Sequence, residues 1–151
     1  METRYSQFSI DRNRKEFMKI SLKELHDNTL SYNIPIENLS IKDMNKHIKE
    51  LKSKYDITLY VDEKYAFAAL VVFKEVSIRP ITTYLRYIAA LHEIGHIAID
   101  DGNTPDEKQK MIREKNAWEW AKKNSLVWNK NADKFMTKCI HSHEIDCAKT
   151  K

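Results

Sequence analysis

The chain has only two glycines and three prolines among its 151 residues. The dense tight turns of an all-β sandwich need more of both, so that class is set aside and helix is expected to dominate. Nowhere does an apolar run approach the roughly 20 residues that span a bilayer. The opening METRYSQFSIDRNRKEF also lacks an apolar stretch of signal-peptide length. No membrane association and a cytoplasmic location are expected. Cysteine is scarce: Cys139 and Cys147 are the only two, and a reducing compartment keeps such a pair as free thiols. Lys and Arg number 26 against 22 Asp and Glu, a net charge of +4 mixed along the chain. No one-signed face of the kind that tracks a nucleic-acid backbone results, so direct nucleic-acid binding is not expected.

What is present suffices for a folded core. The hydrophobic share is 42%, well above that of disordered chains, and this length suits one core better than two. A single domain over residues 1–151 is expected. Apolar periodicity predicts a helix from about Asp11 to Leu30 and a second from Ile41 to Tyr55. Ser40 and Asp43 supply an N-terminal capping pattern for the second, and its lysines (42, 46, 49, 52 and 54) read as a solvated face. YDITLYVD and YAFAALVVFKEVSIRP are rich in β-branched and aromatic residues and predict two or three strands, with EKYA as a tight connection between the first two. After Pro80, Thr82 or Thr83 can cap a helix running through Asp100. Gly102, Asn103 and Pro105 then mark a loop, and the next helix starts near Thr104 or Asp106 and reaches Asn124. The tail from Ser125 has only a mildly helical patch, NADKFMTKCI, and is expected to pack partly or fray. The fold class that follows is α+β, mainly helical, with a small sheet packed against the helix after Pro80.

That helix carries LHEIGHIAID, residues 91–100. Residues four apart share a helix face, so His92 and His96 direct two imidazoles to one point. Glu93 lies about 100° around the helix from His92, off the metal axis and in place to hold a water as general base. The flanking residues Ile88, Ala89, Ala90, Leu91, Ile94, Ile97, Ala98 and Ile99 are apolar nearly all round the helix. A merely solvated polar face is therefore a poor explanation, because buried imidazole and carboxylate groups left unpaired cost about 1–3 kcal/mol each. Gly95 reads as packing space, letting a neighbouring element approach the helix closely at about 1 kcal/mol in helix propensity.

H-E-x-x-H is a short pattern and needs a third ligand. Glu114, on the next predicted helix, meets that need if the helix folds back antiparallel, and Glu107 and Glu119 are rivals on the same segment. Two histidines and one carboxylate leave a tetrahedral position open, the arrangement of catalytic zinc. A second group, Cys139, His141, His143 and Cys147, has no spacing of a closed zinc module and reads as incidental. Trp118, Trp120 and Trp128 read as core or groove aromatics.

HEIGH at 92–96 followed by EKNAWEWA from Glu114 resembles the ImmA/IrrE class of zinc peptidases, gluzincins encoded by bacteria and mobile elements. The second motif of that class is E-x-x-A-x-x-F-A, with its first Glu binding zinc. Glu114, Ala117, Trp120 and Ala121 match it, Trp standing for Phe. The resemblance covers about residues 55–124 and favours Glu114 over its rivals. It implies a zincin-like fold, Zn2+ held by His92, His96 and Glu114, and Glu93 as catalytic base. It further implies a cytoplasmic endopeptidase acting on a protein substrate, commonly a helix-turn-helix repressor of a mobile element or stress regulon. This chain departs from the class after the second motif, reading KKNSLVWNKNADKF in place of an apolar LLMP segment. It also has Trp118 where a small polar residue often supports the metal site. An oxyanion-stabilising group is expected, with Tyr84 and Tyr87 as candidates, and the segment Ala66 to Val76 is a candidate edge for an extended substrate strand. The contrasting expectation is a non-catalytic, metallopeptidase-like module that binds a regulator or toxin partner, with zinc only stapling the fold.

Overall fold

The computed structural model describes residues 39–99 and 107–149. The helix expected over 11–30, the loop at Gly102, Asn103 and Pro105, and the side chains of Glu107 and Cys147 lie outside the described residues. Within them the protein is α+β and mostly helical, with four helices and one three-stranded mixed sheet. The elements are α1 (Ile41–Lys54), β1 (Thr58–Val61), β2 (Ala68–Leu70), β3 (Glu75–Ile78), α2 (Tyr84–Ala98), α3 (Glu107–Asn124) and α4 (Lys130–Lys149). None of these helices is long and apolar enough to cross a membrane.

α1 starts where the capping pattern put it. The Asp43 N–H donates to Ser40 Oγ at 3.0 Å and the Ser40 N–H to Asp43 Oδ2 at 3.2 Å, satisfying two orphan donors reciprocally. Met44, Ile48 and Leu51 are buried at spacings of four and three, and the five lysines are exposed. Ile41, in the first turn, lies more than half exposed.

The sheet has the order β1-β3-β2. β1 runs parallel to β3 with Leu59 opposite Val76, and β2 runs antiparallel to β3 with Ala69 opposite Val76. The expected tight connection between β1 and β2 is therefore a correction. Asp62 does turn the chain, accepting the Lys64 N–H at 2.8 Å and the Tyr65 N–H at 3.1 Å, but the chain then crosses to the far side of β3. The hairpin lies instead between β2 and β3, at Val71–Lys74. Lys74 takes the left-handed conformation there (φ 51°), and Val72 and Phe73 project into solvent, 63% and 47% exposed. β2 is an outer strand paired on one side by β3.

Val76 and Ile78 point to the helical core, where they meet Ile57, Phe67, Ile81, Leu85, Ile88 and Leu91. α2 is buried from Tyr84 to Ile97 except at Arg86, as its largely apolar circumference demands. Thr83 caps it, accepting the Arg86 N–H at 3.2 Å. Arg86 also clasps Glu63 with both guanidinium nitrogens, at 2.6 and 3.2 Å, and reaches the Pro80 carbonyl at 3.1 Å. That fork holds the Glu63 carboxyl below its usual range and ties the β1–β2 crossover to the start of the helix.

The tail packs partly, as expected, but its helix extends beyond the expected patch. It forms α4, which buries Ala132, Phe135 and Cys139 at spacings of three and four along one narrow face. The Asn129 side chain caps its start by accepting the Asn131 and Ala132 N–H groups at 2.9 and 3.0 Å. Cys139 is buried.

Candidate metal centre

His92 and His96 lie one turn apart on α2, and Glu114 reaches them from α3. The approach depends on Gly95, which lies one residue before His96 and faces the α3 backbone. A Cβ built there would stand 2.8 Å from the Ala117 carbonyl oxygen and 3.1 Å from Trp120 Cε3. Only the hydrogen of glycine admits the α3 backbone at that distance, and Ala117 is one turn beyond Glu114. The expected packing space is therefore real, and the element filling it is the one that carries Glu114.

The His92, His96 and Glu114 side chains are all buried, and one ligand atom from each lies within 4.8 Å of the other two. Glu114 Oε1 stands 2.6 Å from His92 Nε2, and its Oε2 stands 3.2 Å from His96 Nε2. Burial pushes the Glu114 carboxyl upward, but the charge of the two adjoining imidazoles and their hydrogen bonds outweigh it and hold the group well below the ordinary carboxylate range. Glu114 is therefore ionised. Two imidazole nitrogens and a carboxylate, converging in a buried position, are a donor set that fits a divalent transition ion, and these residues lie close enough to hold one.

Glu93 is fully buried beside this group, with Oε2 3.8 Å from His92 Nε2. Glu119, a rival third ligand by sequence, is exposed and takes no part. Among the described residues the metal-capable group is the one built on α2 and α3, and Cys139, His141 and His143 form no second one.

Tyr84 and Tyr87, candidates for stabilising an oxyanion, are committed elsewhere. The Tyr84 hydroxyl donates to the Val127 carbonyl at 2.6 Å. Tyr87 Oη accepts the Leu126 N–H at 3.0 Å and meets His47 Nδ1 at 2.6 Å. Burial raises both phenols, Tyr87 to about 12 with the Leu126 N–H opposing, so both remain donors at neutral pH. They pin the α3–α4 connection to the start of α2.

One contact at the site falls at the position, four residues after Glu114, where the resembled class often has a small polar residue. The Trp118 indole stacks on the His92 imidazole, ring centroids 4.1 Å apart and planes 17° from parallel. Of the other tryptophans, Trp120 and Trp128 pack partly buried against the core. The chain matches no protein-family model, no curated protein and no solved structure.

Proposed function

We propose that the chain is a zinc-dependent endopeptidase of the ImmA/IrrE kind, with a zincin-like fold, acting on a regulatory protein such as a helix-turn-helix repressor. The observation that carries the proposal is a buried group of three metal-capable side chains with a further carboxylate, that of Glu93, fully buried beside it. A zinc that merely staples a fold normally takes four protein ligands and needs no neighbouring base, whereas a catalytic one keeps a position open.

His92, His96 and Glu114 would hold the ion. When bound, it would polarise a scissile carbonyl and make an attacking water more acidic. Glu93 takes the proton from that water as its oxygen joins the carbonyl carbon. The same carboxyl then gives the proton to the amide nitrogen, which leaves as an amine when the C–N bond breaks. β2 supports the choice of an extended peptide as substrate, since the outward edge of an outer strand can pair with a backbone lying alongside it.

Glu93→Gln tests the proposal. The variant should retain zinc with wild-type affinity and lose peptidase activity by about 10²–10⁴-fold, and it should trap the uncleaved substrate from cell extract for identification by mass spectrometry. Full biological activity in Glu93→Gln would instead identify a module that binds its partner without cutting it.

A further inference from the structure

We propose that Trp118 is a positioning residue of the metal centre, its indole face fixing the plane of the His92 imidazole where a hydrogen bond ordinarily would. A histidine that binds a metal through one ring nitrogen usually donates the other N–H to a carboxylate or carbonyl, and that bond sets both tautomer and ring orientation. His92 lacks this device. Its Nε2 faces Glu114, and its Nδ1 is buried with no hydrogen-bond partner among the described residues.

The stack with Trp118, at 4.1 Å and 17°, takes its place. A parallel aromatic face opposes rotation of the imidazole about its Cβ–Cγ bond, the motion that would tilt the ring plane. The ring's position is bounded further by Glu114 Oε1, 2.6 Å from Nε2, and by the His96 ring, 4.7 Å away and inclined at 73°. Glu114 and Trp118 stand four apart on α3, so one face of that helix supplies both a ligand and the support of the opposing ligand. Trp118 is itself only 2% exposed and is held edge-on by Phe135 of α4, at 5.9 Å and 83°. Three rings from three helices thus form a ladder ending on the metal ligand, and the precision of the site depends on the packing of the C-terminal helix.

The inference rests on the metal reading of the site and not on peptidase activity. It is tested by competing zinc against a chromophoric chelator in the full chain and in the Trp118→Phe and Trp118→Leu variants, with visible spectra of the cobalt-loaded proteins. Phe keeps a flat ring and should bind zinc within about threefold of wild type. Leu keeps the apolar bulk without a flat face and should bind about 10–100-fold more weakly, the loss typical of an outer-shell support, with altered cobalt bands. Wild-type affinity in the Leu variant, or equal weakening by Phe and Leu, overturns the inference.

A measurement on the unmutated chain guards against a Leu variant that does not fold. The carbon-bound ring protons of His92 should resonate upfield of those of the exposed His141, because the indole ring current shields them. Their absence from the upfield range shows that the stack is not there and overturns the inference equally. If the wild type binds no zinc, the metal reading falls and this inference falls with it. If wild type and the Leu variant bind zinc alike, only the role of Trp118 falls.

Discussion

Replacing Gly95 by alanine opposes two effects of known sign. In a helix interior alanine is favoured over glycine by about 1 kcal/mol, so propensity alone predicts a more stable protein. Packing opposes this, because the new Cβ would sit 2.8 Å from the Ala117 carbonyl oxygen and 3.1 Å from Trp120 Cε3. Trp120 can rotate, but the Ala117 oxygen belongs to the backbone and can recede only if α3 moves as a unit, by about 0.6 Å to reach an ordinary contact of 3.4 Å. Overpacking of this kind costs about 1–3 kcal/mol. The net effect runs from near zero to a loss of about 2 kcal/mol, a fall in Tm of up to about 8 °C for a chain of this size. The second consequence is sharper. Glu114 lies three residues before Ala117 and withdraws with it, so the third ligand leaves the histidines and zinc affinity should fall by about tenfold or more. Calorimetry of the metal-free variant and a chelator competition for zinc read the two effects separately. A variant with raised Tm and unchanged zinc affinity would refute the claim that the glycine brings the third ligand into place.

Tyr87→Phe leaves the Leu126 N–H and His47 Nδ1 without their shared partner and should cost about 1–3 kcal/mol in denaturant unfolding with zinc affinity unchanged; weakened zinc binding at full stability would place the phenol in the metal centre after all. Burial lowers the His47 imidazole below its ordinary 6.5, with Glu50 partly opposing. The unfolded chain then binds more protons at this residue, so the stability it contributes is present above pH 6.5 and is lost as pH falls through 6.5 toward the depressed native value. Denaturant midpoints of His47→Gln should therefore vary less with pH below 6.5 than those of wild type, and identical slopes would contradict the assignment. Glu114→Gln should abolish measurable zinc binding at micromolar metal in the same chelator assay, whereas Glu119→Gln, on the exposed side of α3, should not change it.

Much of the site was legible because it is local. His92 and His96 share a face by arithmetic, and the apolar residues around them announce that the face is buried. The expected third ligand needed a second signal, since Glu107, Glu114 and Glu119 are alike in character; the motif resemblance favoured Glu114, and the approach of α3 buries Glu114 beside the histidines while leaving Glu119 exposed. Gly95 hinted at that approach without naming its partner. The starts of α1 and α2 were legible at Ser40 and Thr83, where capping chemistry lies within three residues of the helix.

What escaped was either non-local or contrary to local preference. The β2–β3 turn places Val72 and Phe73 in solvent and a lysine at positive φ, against the preference of turns for glycine, asparagine and aspartate. α4 buries a face only one residue wide, Ala132, Phe135 and Cys139, and its polar remainder concealed it. Tyr84 and Tyr87 are on the metal helix, but their hydroxyls answer to Val127 and Leu126, about forty residues downstream. Nothing in helical spacing tells that Trp118 lies flat on His92.

The most direct test of the metal centre is an anomalous difference map recorded at the zinc edge from crystals grown with zinc. One peak per chain should appear among His92, His96 and Glu114, at bonding distance from all three. A map with no peak there, with Glu114 still paired directly to His92, would contradict the account.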